Sequence, residues 1–246
     1  MKRILHYLQA ISMIALTVLA VSSCSKDDTK PKAPTDETKD RGHDMPDKVQ
    51  FIITDIGTKE LQERTANKSP KGIEYDINSP IQWQIGHEYR FEIVYYNNNT
   101  RMNHEFVTAK MAPIHQHFFQ LFQGDYPGNK DGRDAMVTAM NKTVSYEYQD
   151  TDPENGTYGT QGVNLRLRTW DKKHPELRDH IGLKGVFHIK DEATAGDYKL
   201  RIKLAHFLTA NKLKPQTQEE RPYNVVEYSD AFQLDSDMTL PVQIKQ

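Results

Sequence analysis

The stretch that decides the fold is Tyr198-Lys199-Leu200-Arg201-Ile202-Lys203-Leu204, in which large apolar side chains hold every second position and cations hold those between. A period of two is that of a strand with one face buried and one in water. The same pattern recurs on both sides. Downstream come Phe232 and Leu234, then Leu240, Val242 and Ile244. Upstream lie Leu183, Phe187 and Ile189; Val163, Leu165 and Leu167; Val144, Tyr146 and Tyr148; Tyr89, Phe91, Ile93 and Tyr95; and Val49, Phe51 and Ile53. Turn signals separate these runs at Asn97-Asn98-Asn99, Asp152-Pro153, Asn155-Gly156 and Gly196-Asp197. Eight or nine short strands, each with one apolar face, predict an all-β chain folded as an antiparallel β-sandwich of immunoglobulin-like kind, with a β-barrel as the alternative. One short helix is expected over residues 103–112, capped by Asn103 and ended by Pro113. Residues 58–80 are polar, hold two prolines and read as a long loop.

The start of the chain is of another kind. Met1-Lys2-Arg3 is followed by a long uncharged, largely apolar run, then Val21-Ser22-Ser23-Cys24. A basic start, an apolar stretch and small residues before a cleavage point make a secretory signal. An aliphatic residue, two small residues and a cysteine fit the lipobox, so residues 1–23 are expected to be a lipoprotein signal peptide. Cys24 is then the lipidation site, acylated on its thiol and new amine. It is the one cysteine of the chain, so no disulfide is available and packing must hold the domain together. Acyl chains contribute about 0.8 kcal/mol per buried methylene, enough in multiple to fix the protein to a lipid bilayer. Residues 24–47 are charged and proline-bearing, with little to bury, and read as a flexible tether. Residues 48–246 are expected to form one domain.

Charge excludes one class of partner. The chain has 32 basic and 34 acidic residues, with a formal net charge of −2. No basic stripe suited to nucleic acid is present. Enzyme signatures fail as well. His104-Glu105 lacks the second histidine of the zinc-protease pattern, and there is no G-x-S-x-G, phosphate loop or spare cysteine. A binding protein is therefore expected rather than an enzyme, with a hydrolase the weakest of three readings.

The densest set of ligand-type side chains is His104-Glu105 followed by His115-Gln116-His117. On a strand, His115 and His117 share a face about 6.6 Å apart along it. Two imidazoles so placed can share one ion, with His104 and Glu105 supporting. The competing reading makes His115 and His117 core residues bonded to backbone. Imidazole with carboxylate suits zinc, copper, nickel or iron. Haem needs an apolar slot beside its axial ligand, for which Met111, Phe118 and Phe119 are nearby candidates. No cofactor is required by the sequence; the metal or haem would be cargo. His206 reads as buried structure, and His87, His174, His180 and His188 carry no expected role. Residues 150–156 faintly resemble a calcium loop but put Asn155 where glycine is needed, so a turn is the better reading. The alternative function is a metal-free carbohydrate- or protein-binding module, carried by exposed aromatics with Trp170 and Trp83 first.

Three features resemble small lipoproteins of Bacteroidota often labelled type 1 periplasmic-binding-fold-like. They are the run from Asn103 to the His-Gln-(x)-Phe-Phe ending at Phe119, the strand–turn–strand holding Tyr146, Tyr148, Asp150, Asp152 and Gly156, and the late strand pair that includes Phe187 and Tyr198. The acidic and lysine residues after Cys24, Lys26-Asp27-Asp28, resemble a surface-export signal of the same group. The resemblance implies an outer-membrane lipoprotein facing the cell exterior, partnered by a TonB-dependent transporter to which it passes a scarce nutrient. Relatives are richer in glutamate in the first segment, whereas this chain holds only Glu105 there and adds His117. The family label implies an α/β fold, against the β pattern read from the residues.

Overall fold

A computed structural model describes residues 46–69, 72–75, 79–108, 110–156, 166–168, 180–207, 212, 220–224 and 232–246, all within one compact unit, Arg41–Gln246. The signal, Cys24, most of the tether, most of the run from Val163 to Leu167, His174 and Trp170 lie outside the described residues.

The described chain is mostly strand. The strands are β1 (Lys48–Asp55), β2 (Leu61–Ser69), β3 (Gly72–Tyr75), β4 (Ile81–Gln84), β5 (Glu88–Asn97), β6 (Thr100–Arg101), β7 (His115–Phe122), β8 (Val144–Tyr148), β9 (Thr151–Asp152), β10 (Arg166–Leu167), β11 (Lys184–Ile189), β12 (Gly196–Phe207) and β13 (Phe232–Lys245). One sheet runs β3-β2-β1-β5-β11-β8, with β6 beside β5; a second runs β4-β13-β12-β7; β9 and β10 form a short ribbon. Pairing is antiparallel except for β4 on β13. The alternation read from sequence is realised directly: β1 alternates part-exposed and buried positions along its whole length.

The sheets face each other over an aromatic centre. Phe119 of β7 lies 6.1 Å from Phe91 of β5, 5.4 Å from Phe187 of β11 and 4.4 Å from Tyr146 of β8, ring centroid to centroid. Such offset and edge contacts add to the roughly 1.5–3 kcal/mol gained by burying each large apolar side chain. The fold is thus an all-β sandwich rather than a closed barrel.

Three local expectations are corrected. Residues 58–80 contain β2 and β3; their polarity reflects a weakly buried edge of the sheet, where Leu61 is 56 % exposed. The first helix, α1, is only Asn103–Phe106, and Met102 precedes it as cap without a side-chain bond. Asn103 is instead buried, accepting from Tyr95 N at 2.7 Å and donating to the Ile93 carbonyl at 2.7 Å, so it extends the hydrogen bonding of β5. After a turn, residues Ala112–Ile114 form one turn of 3-10 helix with Pro113 near its start.

A longer helix, α2 (Lys130–Thr143), was not foreseen; Asn129 caps it, its side chain accepting from Gly132 N, and Met136, Met140 and Thr143 face inward. These signals stood in the sequence, but the apolar stripe is narrow.

The exposed side of β7 is covered. Its outward amides at His117, Phe119 and Leu121 donate to the Ile181 carbonyl (2.7 Å), the Tyr223 carbonyl (2.8 Å) and Met140 Sδ (3.2 Å).

Candidate metal centre

Every residue of β7, His-Gln-His-Phe-Phe-Gln-Leu-Phe, is buried. Alternation sends His115, His117, Phe119 and Leu121 toward the facing sheet, so the two histidines do share a face. Their environments differ.

His117 sits deepest. Nδ1 lies 2.8 Å from the Ile181 carbonyl and Nε2 lies 2.7 Å from Tyr95 Oη. A carbonyl only accepts, so Nδ1 carries the hydrogen and Nε2 accepts from the tyrosine hydroxyl. The ring stacks on Tyr95 at 5.8 Å. Burial pushes its pKa down to about 4, so the ring is neutral with both nitrogens engaged. The expectation that His117 is a metal ligand is corrected: it is a core histidine. Its setting depends on Gly182, whose φ is +80° and where a Cβ would stand 2.9 Å from His117 Cβ and 2.8 Å from Tyr148 Cε1.

His115 lies one step nearer the strand start. Its ring meets Phe106 edge-on at 5.5 Å. Nδ1 donates to the Met111 carbonyl at 2.8 Å, and Nε2 points at Asp235 Oδ2, 3.1 Å away. His206 is its direct partner across the β12–β7 ladder, the two rings 4.6 Å apart. His206 Nδ1 is 3.4 Å from the same Asp235 Oδ2.

Asp235 arrives through an irregularity. Along β12–β13, Leu204 pairs with Ser236 and Ala205 with Leu234, so Asp235 is the extra residue of a β-bulge. A bulge re-aims side chains locally, and here the carboxylate meets both imidazoles. His115, His206 and Asp235 each offer one ligand atom within 4.8 Å of the others. Two of the separations, 3.1 and 3.4 Å, bracket the roughly 3.3 Å edge of a tetrahedron built on bonds of about 2.0 Å.

The charge state sharpens this. Burial lowers the His115 pKa, outweighing the opposing pull of Asp235. With Nδ1 donating to the Met111 carbonyl, Nε2 is the atom that meets the carboxylate oxygen, the position from which an imidazole binds a proton or a metal ion. The Met111 carbonyl is the kind of outer partner that fixes the tautomer and orientation of a metal-binding imidazole.

The other predicted site residues do not join the group. His104 is exposed and Glu105 partly exposed on α1, and among the described residues neither belongs to a three-ligand cluster. Trp83 is fully buried, 5.0 Å from Phe187 and 6.0 Å from Tyr89; it packs the core and offers no face to a ligand. Asp150, of the calcium-like stretch, accepts from the amides of Ile181, Gly182, Leu183 and Lys184 at 2.7–3.1 Å. Its carboxylate is a staple for that turn, not a cation ligand. His87, His180 and His188 each pair with a single acid, Asp55, Glu220 and Glu88 respectively.

Of this candidate group the sequence nominates His115 but neither His206 nor Asp235. The contact between His115 and Asp235 spans 120 residues, and the bulge that makes it leaves no local motif. The fold and this group define a β-sandwich with a candidate transition-metal centre. No family model, curated protein or solved structure matches the chain.

Proposed function

We propose that this chain is a cell-surface lipoprotein that captures a divalent transition-metal ion and passes it to an outer-membrane transporter. The observation that carries this is the convergence of His115 Nε2, His206 Nδ1 and Asp235 Oδ2 from three adjacent strands. Two imidazoles and a carboxylate suit zinc, copper, nickel or iron, and disfavour calcium and magnesium, which take oxygen ligands. The geometry favours a bare ion over haem. A porphyrin needs a flat slot across the free nitrogen of its axial histidine, and here that nitrogen on fully buried His115 faces a carboxylate at 3.1 Å.

The lipobox ending at Cys24 supports anchorage in the outer membrane. The acids after it, and the resemblance to Bacteroidota lipoproteins, support a position facing the cell exterior beside a TonB-dependent transporter. Binding without catalysis is the reading favoured by the absence of enzyme motifs.

Titration of the purified protein with zinc, copper, nickel and haem tests the proposal. One equivalent of a bare ion should bind saturably, be lost in His115→Ala/His206→Ala, and survive in His104→Ala/Glu105→Ala. Wild-type binding that persists in the first double variant would remove the site; haem binding without ion binding would remove the cargo.

A further inference from the structure

The three ligand-bearing residues are not held alike. His115 and His206 are directly opposed in a regular ladder, 0 % and 7 % exposed. The His115 ring is fixed further by the Met111 carbonyl and the edge of Phe106. Moving either imidazole would disturb paired backbone and packed rings. Asp235 is the bulged residue, outside the ladder pairing of its neighbours Leu234 and Ser236. Its side chain is 20 % exposed, against 0 % for His115 and 9 % for His206. Swinging that carboxylate aside breaks no strand pairing and opens the centre from the most exposed of its three ligands.

We infer that Asp235 is the exchange ligand: the ion enters and leaves on its side while the imidazole pair stays in place. This rests on the metal-capture reading above. In chemical terms, the metal–oxygen bond to Asp235 breaks as a bond to an incoming oxygen or nitrogen donor forms. The metal keeps its oxidation state, and the freed carboxylate returns to water. The receiver of the ion is then a surface bearing a carboxylate or imidazole that reaches the bulge, such as a ligand side chain of a transporter. A carboxylate suits this role because its hold is largely electrostatic and water can take over the freed oxygen, whereas a buried imidazole has no solvent to turn to.

The test uses the full chain loaded with cobalt(II), whose visible absorption reports the ligands, and follows transfer to excess EDTA by stopped flow. Wild type, Asp235→Asn and His115→Gln are compared, with the melting temperature of each metal-free protein as the folding control. Asp235→Asn should still bind one cobalt but release it roughly tenfold faster or more, while His115→Gln should bind none. In wild type the release rate should climb with EDTA concentration, as an incoming ligand takes the place of Asp235. If Asp235→Asn lowers the metal-free melting temperature, Asp235→Glu carries the test: it should bind cobalt and change the release rate. Release at the wild-type rate in the folded variant overturns the inference, as does loss of all binding in a fully folded Asp235→Asn, which would make the three ligands equivalent. Failure of wild type to bind cobalt, zinc, copper or nickel overturns the metal-capture reading itself, a result distinct from either.

Discussion

His115 and His117 are two residues apart and chemically identical, yet their surroundings divide them. His117 has a carbonyl and a phenol for its two nitrogens, so its ring is complete without an ion. Replacing it with alanine removes packing and the ring that meets Tyr95 Oη, while the Ile181 carbonyl keeps the residue-117 amide; stability should fall by roughly 2–4 kcal/mol in urea unfolding, while metal stoichiometry holds at one. A variant as stable as wild type would end the core reading, and one that folds but no longer binds the ion would place His117 in the centre. Lys203 is a second case in which surroundings decide. It is 2 % exposed, with its ammonium 5.2 Å from the Tyr126 ring. Burial, reinforced by the cations Arg201 and Arg133 and opposed by Asp237, lowers its pKa from 10.5 to about 8. The unfolded chain therefore binds more protons between those values, and stability rises with pH across that window. Lys203→Met keeps the stem and removes the buried charge. It should be more stable than wild type at pH 7, by at most about 3 kcal/mol, and the advantage should shrink toward pH 10. Chemical denaturation at the two pH values gives the sign.

At the scale of elements, the bulge in β13 turns an ordinary strand pair into a candidate site. Deleting Asp235 restores the two-residue alternation from Leu234 to Ser236. The shortened protein should keep its strand signal in circular dichroism and lose the ion; ion binding by the deletion variant would show that the carboxylate is dispensable. The turn from Ile181 to Lys184 depends on a single side chain in the same way. Asp150→Ala leaves four amides without their acceptor and should cost about 3 kcal/mol or more, read as a shift of the urea midpoint. Elements were also the scale at which the sequence was most and least informative. Where one face is sealed and the other wet, as in β1 and the first half of β12, alternation appears in the residues themselves; from Ile202 on both faces of β12 are buried, Lys203 included. In β2, partly exposed on both faces, the period vanishes and the run reads as loop. Asn103 was chemically apt as a helix cap and serves the backbone of β5 instead, because tertiary contact outbid the local option. For the site, a His-x-His spacing named one member of the candidate group, since only strand register and a bulge 120 residues away could supply the others.

For the whole molecule, an ion at His115, His206 and Asp235 would tie β7, β12 and β13 together at one end of the second sheet. Anything that binds only the folded state stabilises it. At about a hundred times its dissociation constant the gain is about 2.7 kcal/mol, or roughly 5–10 °C in a chain of this size. Thermal unfolding with zinc and with EDTA should differ by that much in wild type and not at all in His115→Ala/His206→Ala; equal shifts in both would point to binding elsewhere. One feature of the sandwich bears on behaviour at high protein concentration. β7 borders its sheet and carries the largely apolar run Phe118-Phe119-Gln120-Leu121-Phe122, the combination that recruits strands from neighbouring molecules. Yet three of its successive outward amides are already spoken for by Ile181, Tyr223 and Met140. Copies that meet at high density thus present one another, along this edge, with a closed seam instead of an open template.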